Sequence, residues 1–350
     1  MFEHALLGDL LGDETVSTAF SGEVFLAHFC RFEIALTDAL GSHGFIDNKS
    51  AVAIIAGCRS FKPDMLKIRA ETVIDGLAVP AFARQLKAHI GDPYQSDVHF
   101  GATSQDLMDT ALALSLKGIN KNFSFDIRAL NESLQRLIHT YGQNGLIGRT
   151  RMQAALAIKV SDRIMAWQTP LERHQTRLER VASAICVLQL GGAVGTNHVF
   201  GEKAAAIAGE MATSLELGNP AKQWHTERDN LVDYANWLSL VTGTLGKMGQ
   251  DFCLMAQQGI DDVVLTGGGS SSAMPHKQNP IAAETLVTLA RFNAVQISAM
   301  HQALVHEQER SGSAWALEWM ILPKMCEATA CALKTATRLA GQVSGMGQQH

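Results

Sequence analysis

Apolar residues recur along this chain at helical spacing in long blocks, and glycine and proline punctuate the blocks. Phe25, Phe29, Phe32 and Leu36 lie on one side of a helix predicted over 20–40, which Gly41 ends. Pro63 opens a helix through about Ile74, and Pro80 opens another through about Ile90. Residues 91–106 read as a loop. A long pattern then runs from Asp106 to about Tyr141, with a weak point at Gly118. GQNGLIGRT reads as a turn. Residues 151–189 carry the longest unbroken helical pattern, which at ~1.5 Å per residue would approach ~60 Å. Only Pro170 interrupts it, so a kink or local bend is expected there. A glycine loop over 190–201 precedes a helix to about Leu217. Further helices are predicted at about 228–260, 280–308 and 314–340, with the last ten residues frayed.

These elements predict an all-α protein built on a bundle of long helices, because apolar stripes of such length must pack against one another. The short, separated helices before residue 104 suggest a small N-terminal helical domain over 1–104. The bundle would then occupy 105–350. Helices beyond 30 residues exceed what one small domain covers, so association of subunits is expected.

Composition narrows the function. The chain has 350 residues, 47% of them hydrophobic, and a formal net charge of −5. That balance argues against a nucleic-acid footprint, which needs a basic face, so any basic cluster should serve a small anionic ligand. The six cysteines are scattered with no C-x-x-C pair, as expected of reduced thiols in a cytoplasmic protein. The first residues carry acids and no basic segment, unlike a signal peptide. No apolar run is long enough to span a bilayer. Neither an H-E-x-x-H pair, a metal-ligand cluster, a phosphate-binding loop nor a G-x-G-x-x-G stands in the chain, so no metal and no cofactor are expected.

The chemistry concentrates at GGGSSSAMPHKQNP, residues 267–280. Three glycines and three serines suit no helix or strand interior. Asn279 suits an N-cap and Pro280 the first position of the next helix. A pliable loop, the cation of Lys277 and an open helix end together make a carboxylate site. Taken alone, the glycines and serines fit a plain surface linker equally well. A second stretch, HFGATSQDLMDT (99–110), places Thr103 and Ser104 at a helix start, where they form either an ordinary cap or a carboxylate cradle.

The stretch 267–280 resembles the signature of the fumarase/aspartase superfamily, G-S-S-x-M-P-x-K-x-N. It matches at Ser271, Ser272, Met274, Pro275, Lys277 and Asn279 and departs at Ser270. The stretch 99–110 resembles the H-x-G-x-T-S-x-D-x-x-D-T element of the adenylosuccinate lyase and carboxymuconate cycloisomerase branches. LQLGGAVGT (188–196), the segment from Trp224 to Asp229, and Glu309, Arg310, Trp315, Glu318, Trp319 and Pro323 are similar to the bacterial carboxymuconate cycloisomerases. The resemblance runs from about residue 20 to 340, and the superfamily's small C-terminal domain is expected to be shortened or absent.

One position departs with consequence. Where the superfamily usually carries a proton-donating histidine after threonine, this chain has Arg151. An arginine holds its proton near neutral pH but grips a carboxylate with two N–H groups. That argues against fumarase, aspartase or adenylosuccinate lyase activity and suits a substrate with an extra carboxylate. The resemblance therefore implies a cofactor-free cycloisomerase acting on a small polycarboxylate, 3-carboxy-cis,cis-muconate. Ser271 and Lys277 would be catalytic. Arg310, Arg151, His99, Thr103, Ser104, Met274 and Asn279 would bind substrate. It also implies a homotetramer whose active sites are shared between chains. The alternatives are a fumarate-releasing lyase of the same superfamily and a non-catalytic structural relative.

Overall fold

In the computed structural model residues 2, 4–270, 274 and 278–348 are described. Six helices come first: α1 (Gly8–Leu11), α2 (Glu14–Ala19), α3 (Gly22–Ser42), α4 (Asn48–Ser60), α5 (Met65–Asp75) and α6 (Val79–Ile90). Asp13, Ser21, Asp47 and Asp64 cap α2 to α5 by accepting a backbone N–H in the first turn of each helix. Next come α7 (Ser104–Tyr141), a hairpin of β1 (Gly145–Thr150) and β2 (Gln153–Lys159), α8 (Val160–Ile185), α9 (Ala204–Leu215) and α10 (Asp229–Met255). The chain ends with β3 (Val263–Leu265), β4 (Gly269–Ser270), β5 (Gln278–Asn279), α11 (Ile281–Gln302), α12 (Ser313–Gly341) and β6 (Val343–Met346).

The expected all-α class holds, with three small two-stranded antiparallel sheets added at the connections, β1–β2, β3–β6 and β4–β5. Five helices, α7, α8, α10, α11 and α12, pack against one another as a bundle. Their stripes build one hydrophobic cluster, with Phe123, Trp167, Trp237, Phe252 and Leu286 wholly enclosed. A second cluster joins α3 to α6, the first turns of α7, and α9, around Phe29, Phe32, Phe82, Leu107 and Phe200.

Three local expectations are corrected. Residues 151–159 are not the start of a helix. They close the β1–β2 hairpin at Arg151 and Met152, both with positive φ (49° and 68°), and α8 begins only at Val160. Asn279 does not cap α11: it pairs with Gly269 across β4–β5, and Pro280 takes the cap position. The last residues are not frayed throughout, because β6 pairs with β3. In each case strand pairing, local in β1–β2 and β4–β5 and distant in β3–β6, outweighs local propensity. Gly118 leaves no break in α7.

The bundle has two ends, and the chain visits them alternately. α7 begins at the first end, where α8 finishes, α10 begins, α11 finishes and α12 begins. Here Thr110 bonds Gln189 at 3.1 Å, Arg228 meets Asp109, and the indole of Trp315 donates to Asp109 at 3.1 Å. The other end holds the β1–β2 hairpin, β3, β6 and the β4–β5 pair. There Arg149 donates to Asp262 at 2.6 Å, and the N–H of Thr266 donates to the carbonyl of Gln342 at 2.8 Å. The 22 residues of α11 span about 33 Å between them at 1.5 Å per residue.

Inside the bundle, His174 must be neutral. Arg177 donates to its Nδ1 at 3.2 Å, so its Nε2 carries the hydrogen that meets Thr244 Oγ1 at 2.8 Å. Burial, then Arg177 and Arg173, lowers its pKa from 6.5 to about 4. The unfolded state therefore binds a proton that the folded state refuses. Stability should be full above pH 6.5 and fall as pH drops toward 4. His174→Gln should flatten this acid limb relative to wild type in denaturant titrations at a series of pH values.

Candidate functional site

At the first end, the turn 99–104 and the loop 190–197 meet back to back. Gly101 (φ +75°) faces the ring of Phe200 so closely that a Cβ would lie 2.4 Å from it, and a Cβ on Gly192 (φ +68°) would lie 2.8 Å from the carbonyl oxygen of Gly101. Only glycine permits that approach at both positions. Asp106, wholly buried in the first turn of α7, ties the two segments together. Its carboxylate accepts the N–H groups of Thr103 (2.9 Å), Gly191 (2.9 Å) and Gly192 (3.0 Å), and pairs with His225 Nε2 at 2.8 Å.

One turn further, Asp109 accepts two bonds from Arg228 (2.8 and 3.1 Å), and Arg228 donates two more to Glu318 (2.8 and 2.5 Å). All three are buried. Burial alone would lower the pKa of Arg228; Asp109 and Glu318 more than offset it and hold the guanidinium charged. Gln105, Gln189 and Trp315 donate to the remaining lone pairs of Asp109, and the Arg228 guanidinium stacks 4.7 Å over the ring of Trp224.

On this base sits the cradle. Thr103 is the extended residue before α7 (φ −130°, ψ 163°), and Ser104 is the first helical residue. The first N–H groups of a helix have no intrahelical acceptor. Arg310 is exposed and bridges Thr103 to the glycine loop: its guanidinium donates to Thr103 Oγ1 at 3.0 Å and to the carbonyls of Ala193 (3.1 Å) and Gly192 (3.4 Å). His99 lies in the same turn, two residues before Gly101, with its Nδ1 on Glu33 at 2.6 Å. His99, Thr103, Ser104 and Arg310 thus share one end of the bundle.

The other expected residues lie elsewhere. Arg151 is exposed at the hairpin tip and lines a cavity of about 380 Å³ with Arg149, Arg163, Lys247, Asp251 and Asp262. Four cationic groups against two carboxylates leave that cavity with an excess of two positive charges. Asn279 is half-buried in β5, and Met274 is 44% exposed. Ser271 and Lys277 lie outside the described residues. Arg151 and Asn279 sit at the far end, about the length of α11 from Arg310.

Sequence reasoning passed over Asp106, Asp109, Arg228 and Glu318 as working parts, and Glu33 altogether. Asp106 and Asp109 stood within the 99–110 motif, yet charges at i and i+3 on an amphipathic helix look like an ordinary solvated face. Glu33 offered a better signal: an acid between Phe32 and Leu36 on an otherwise apolar stripe needs a buried partner.

The model of the family described as Lyase matches residues 12–295. The 3-carboxy-cis,cis-muconate cycloisomerase of Acinetobacter baylyi is 33% identical over 338 residues, covering 94% of this chain and 75% of the relative. The crystal structure of 3-carboxy-cis,cis-muconate lactonizing enzyme from Pseudomonas putida superposes with a TM-score of 0.91 at 32% identity, covering 97% of this chain and 77% of that one. The crystal structure of fumarate lyase from Mesorhizobium sp. BNC1 superposes with a TM-score of 0.89 at 29% identity, covering 95% and 76%. The fumarase/aspartase-like fold expected from the motifs is thereby shown.

Arg228→Ala would strand two buried carboxylates. It should cost about 3–5 kcal/mol of unfolding free energy, read as a lower denaturant midpoint; a loss under ~1 kcal/mol would mean that Asp109 and Glu318 find other partners.

Proposed function

The chain belongs to this lyase family, and from that premise we propose that it is a cofactor-free cycloisomerase that converts 3-carboxy-cis,cis-muconate to 4-carboxymuconolactone, a step in the breakdown of protocatechuate by the β-ketoadipate pathway. A carboxylate oxygen of the substrate adds to its own alkene and forms the lactone C–O bond. The displaced π pair moves onto the neighbouring carbon and its carboxylate as an aci-carboxylate, and a proton then goes to that carbon. In reverse this is β-elimination. The barrier lies in carrying negative charge on an already anionic molecule, and fixed donors and cations lower it.

The single observation that carries this reading is Arg310 lying across Thr103 at the capped start of α7. A carboxylate replacing those protein acceptors would meet a guanidinium fork and helix N–H groups together. Arg151, from a cavity with an excess of positive charge, would grip the additional carboxylate. Met274 and Asn279 would line the loop side. Ser271 would move the proton, its alkoxide stabilised by loop N–H groups and by Lys277.

Arg310 and the β4–β5 pair that flanks the signature residues stand at opposite ends of one chain, so on this reading a complete site needs more than one copy. We read the active form as a cytoplasmic homotetramer with shared sites. No helix among the described residues is long and apolar enough to cross a membrane. The exposed apolar groups of the bundle helices, Phe125, Met165, Leu240, Val295 and Met320, are what a subunit interface would cover.

Ultraviolet monitoring of carboxymuconate by the purified protein tests the reaction: consumption with lactone formation is expected. The fumarate-releasing alternative, which the resemblance to fumarate lyase keeps in view, would instead show fumarate from adenylosuccinate or argininosuccinate with no lactonisation. Site sharing has its own test. Ser271→Ala and Arg310→Ala should each lose most activity. Mixed, unfolded and refolded together, they should regain on the order of a quarter of wild-type activity, because chance assembly restores unmutated sites. No recovery would refute sharing between these two positions.

A further inference from the structure

We propose that Glu33, buried behind the turn 99–104, is a positioning residue that presents His99 to the substrate as a cationic N–H donor through its outer nitrogen. This rests on the carboxylate-cradle reading of the first end and deepens it. Glu33 sits in the middle of α3 with its side chain wholly enclosed. It makes two bonds to one residue: its Oε1 meets His99 Nδ1 at 2.6 Å, and its Oε2 accepts the backbone N–H of His99 at 3.2 Å. The second bond matters because His99 has φ +63°, a conformation that L residues rarely adopt. Glu33 therefore fixes backbone and ring together.

With Nδ1–H committed to Glu33, the state of Nε2 decides what His99 can do. Its side chain keeps 16% exposure, and Nε2 is neither bonded to a described residue nor sealed from solvent. A neutral ring would turn a lone pair toward an incoming carboxylate and repel it. A protonated ring offers N–H and attracts it. The surroundings favour the cation. Burial lowers the pKa of His99, but Glu33, with Asp106 of α7 adding to it, outweighs both burial and Lys87 of α6, so the net shift is upward. Cys30 of α3 and Cys58 of α4 also face Glu33; burial, then Glu33, pushes both thiols up and keeps them neutral. Glu33 is thus the one carboxylate bonded to His99, and its charge is not shared with a second cation among the described residues.

The test compares wild type, Glu33→Gln and Glu33→Asp in steady-state assays with carboxymuconate from neutral to alkaline pH. In wild type, substrate affinity should be full below the pKa of His99 and lost as pH rises through it. Glu33→Gln keeps the size and the acceptor but removes the charge. Its alkaline limb should move to lower pH by about one unit or more, with the effect in KM rather than kcat. Glu33→Asp should restore part of the shift. An unmoved limb, a uniform loss at every pH, or activity that rises with deprotonation of His99 would overturn the proposal. Should Glu33→Gln fail to fold, the His99 ring carbon, labelled with carbon-13 and assigned with His99→Gln, decides by its titration in wild type. A midpoint above the ordinary imidazole value supports the proposal, and one at or below it overturns it. Failure of the cycloisomerase reading looks different: wild type then makes no lactone, while the titration of His99 still reports on Glu33.

Discussion

The end of the bundle where α7 starts is anchored by two carboxylates one turn apart on that helix. Asp106 holds backbone N–H groups of two loops, and Asp109 holds a guanidinium. The two do different physical work. Asp106 organises segments that have no regular structure of their own, the turn before α7 and the glycine loop after α8. Asp109 locks helices: through Arg228 and Glu318 it joins the starts of α7, α10 and α12 in one buried network. Such a network is weak support for stability as such, since desolvating three charges offsets much of their attraction. What it supplies is geometry. A hydrophobic seam lets helices slide by fractions of an ångström, whereas a four-bond guanidinium clamp tolerates one arrangement.

That rigidity explains how a site can be divided. Antiparallel helices as long as these carry successive loops to opposite ends, so motifs close in sequence need not be close in space. The turn 99–104 and Arg310 are 207 residues apart between Thr103 and Arg310, yet they touch. Arg310 and Asn279 are much nearer in sequence, yet α11 separates them. Copies of the chain assembled side by side would let the far end of one approach the near end of another. Each half must then hold its shape before it meets its partner, and the buried network does this for the near half.

The long helices were legible because their signal is redundant: each apolar stripe repeats over many turns, and glycine or proline marks its limits. The hairpin was not. Met152-Gln153-Ala154-Ala155-Leu156-Ala157 is composed largely of good helix formers, and nothing local announces a strand. Its conformation comes from β1 pairing and from two left-handed residues at the tip. Most of β2 is exposed in the single chain, so burial does not select the strand and its pairing with β1 does. The site was legible in part for a related reason. Thr103, Ser104, His99 and Arg310 stood out by motif and do converge. Glu33 is visible only once α3 is laid against the turn it supports.

The arginine at 151 and the histidine at 99 bear on one another. A site that binds several carboxylates at once faces self-repulsion before any chemistry begins, and each cation that meets one carboxylate also lowers the energy of charge arriving on the next. Arginine at 151 spends that position on a permanent charge and gives up proton exchange. If His99 is likewise held as a cation by Glu33, its proton is committed to binding and is not the one delivered to carbon. Both substitutions of role push the proton transfer toward the loop 267–280. There the hydroxyl of Ser271 would act at the moment charge builds up. Binding by Arg310 and His99 would then fall to one end of the bundle, on a buried frame, and proton transfer to the other, where Arg151 also stands. That division suits a reaction whose substrate supplies its own nucleophile, because the protein must hold the polyanion still before it needs to move anything.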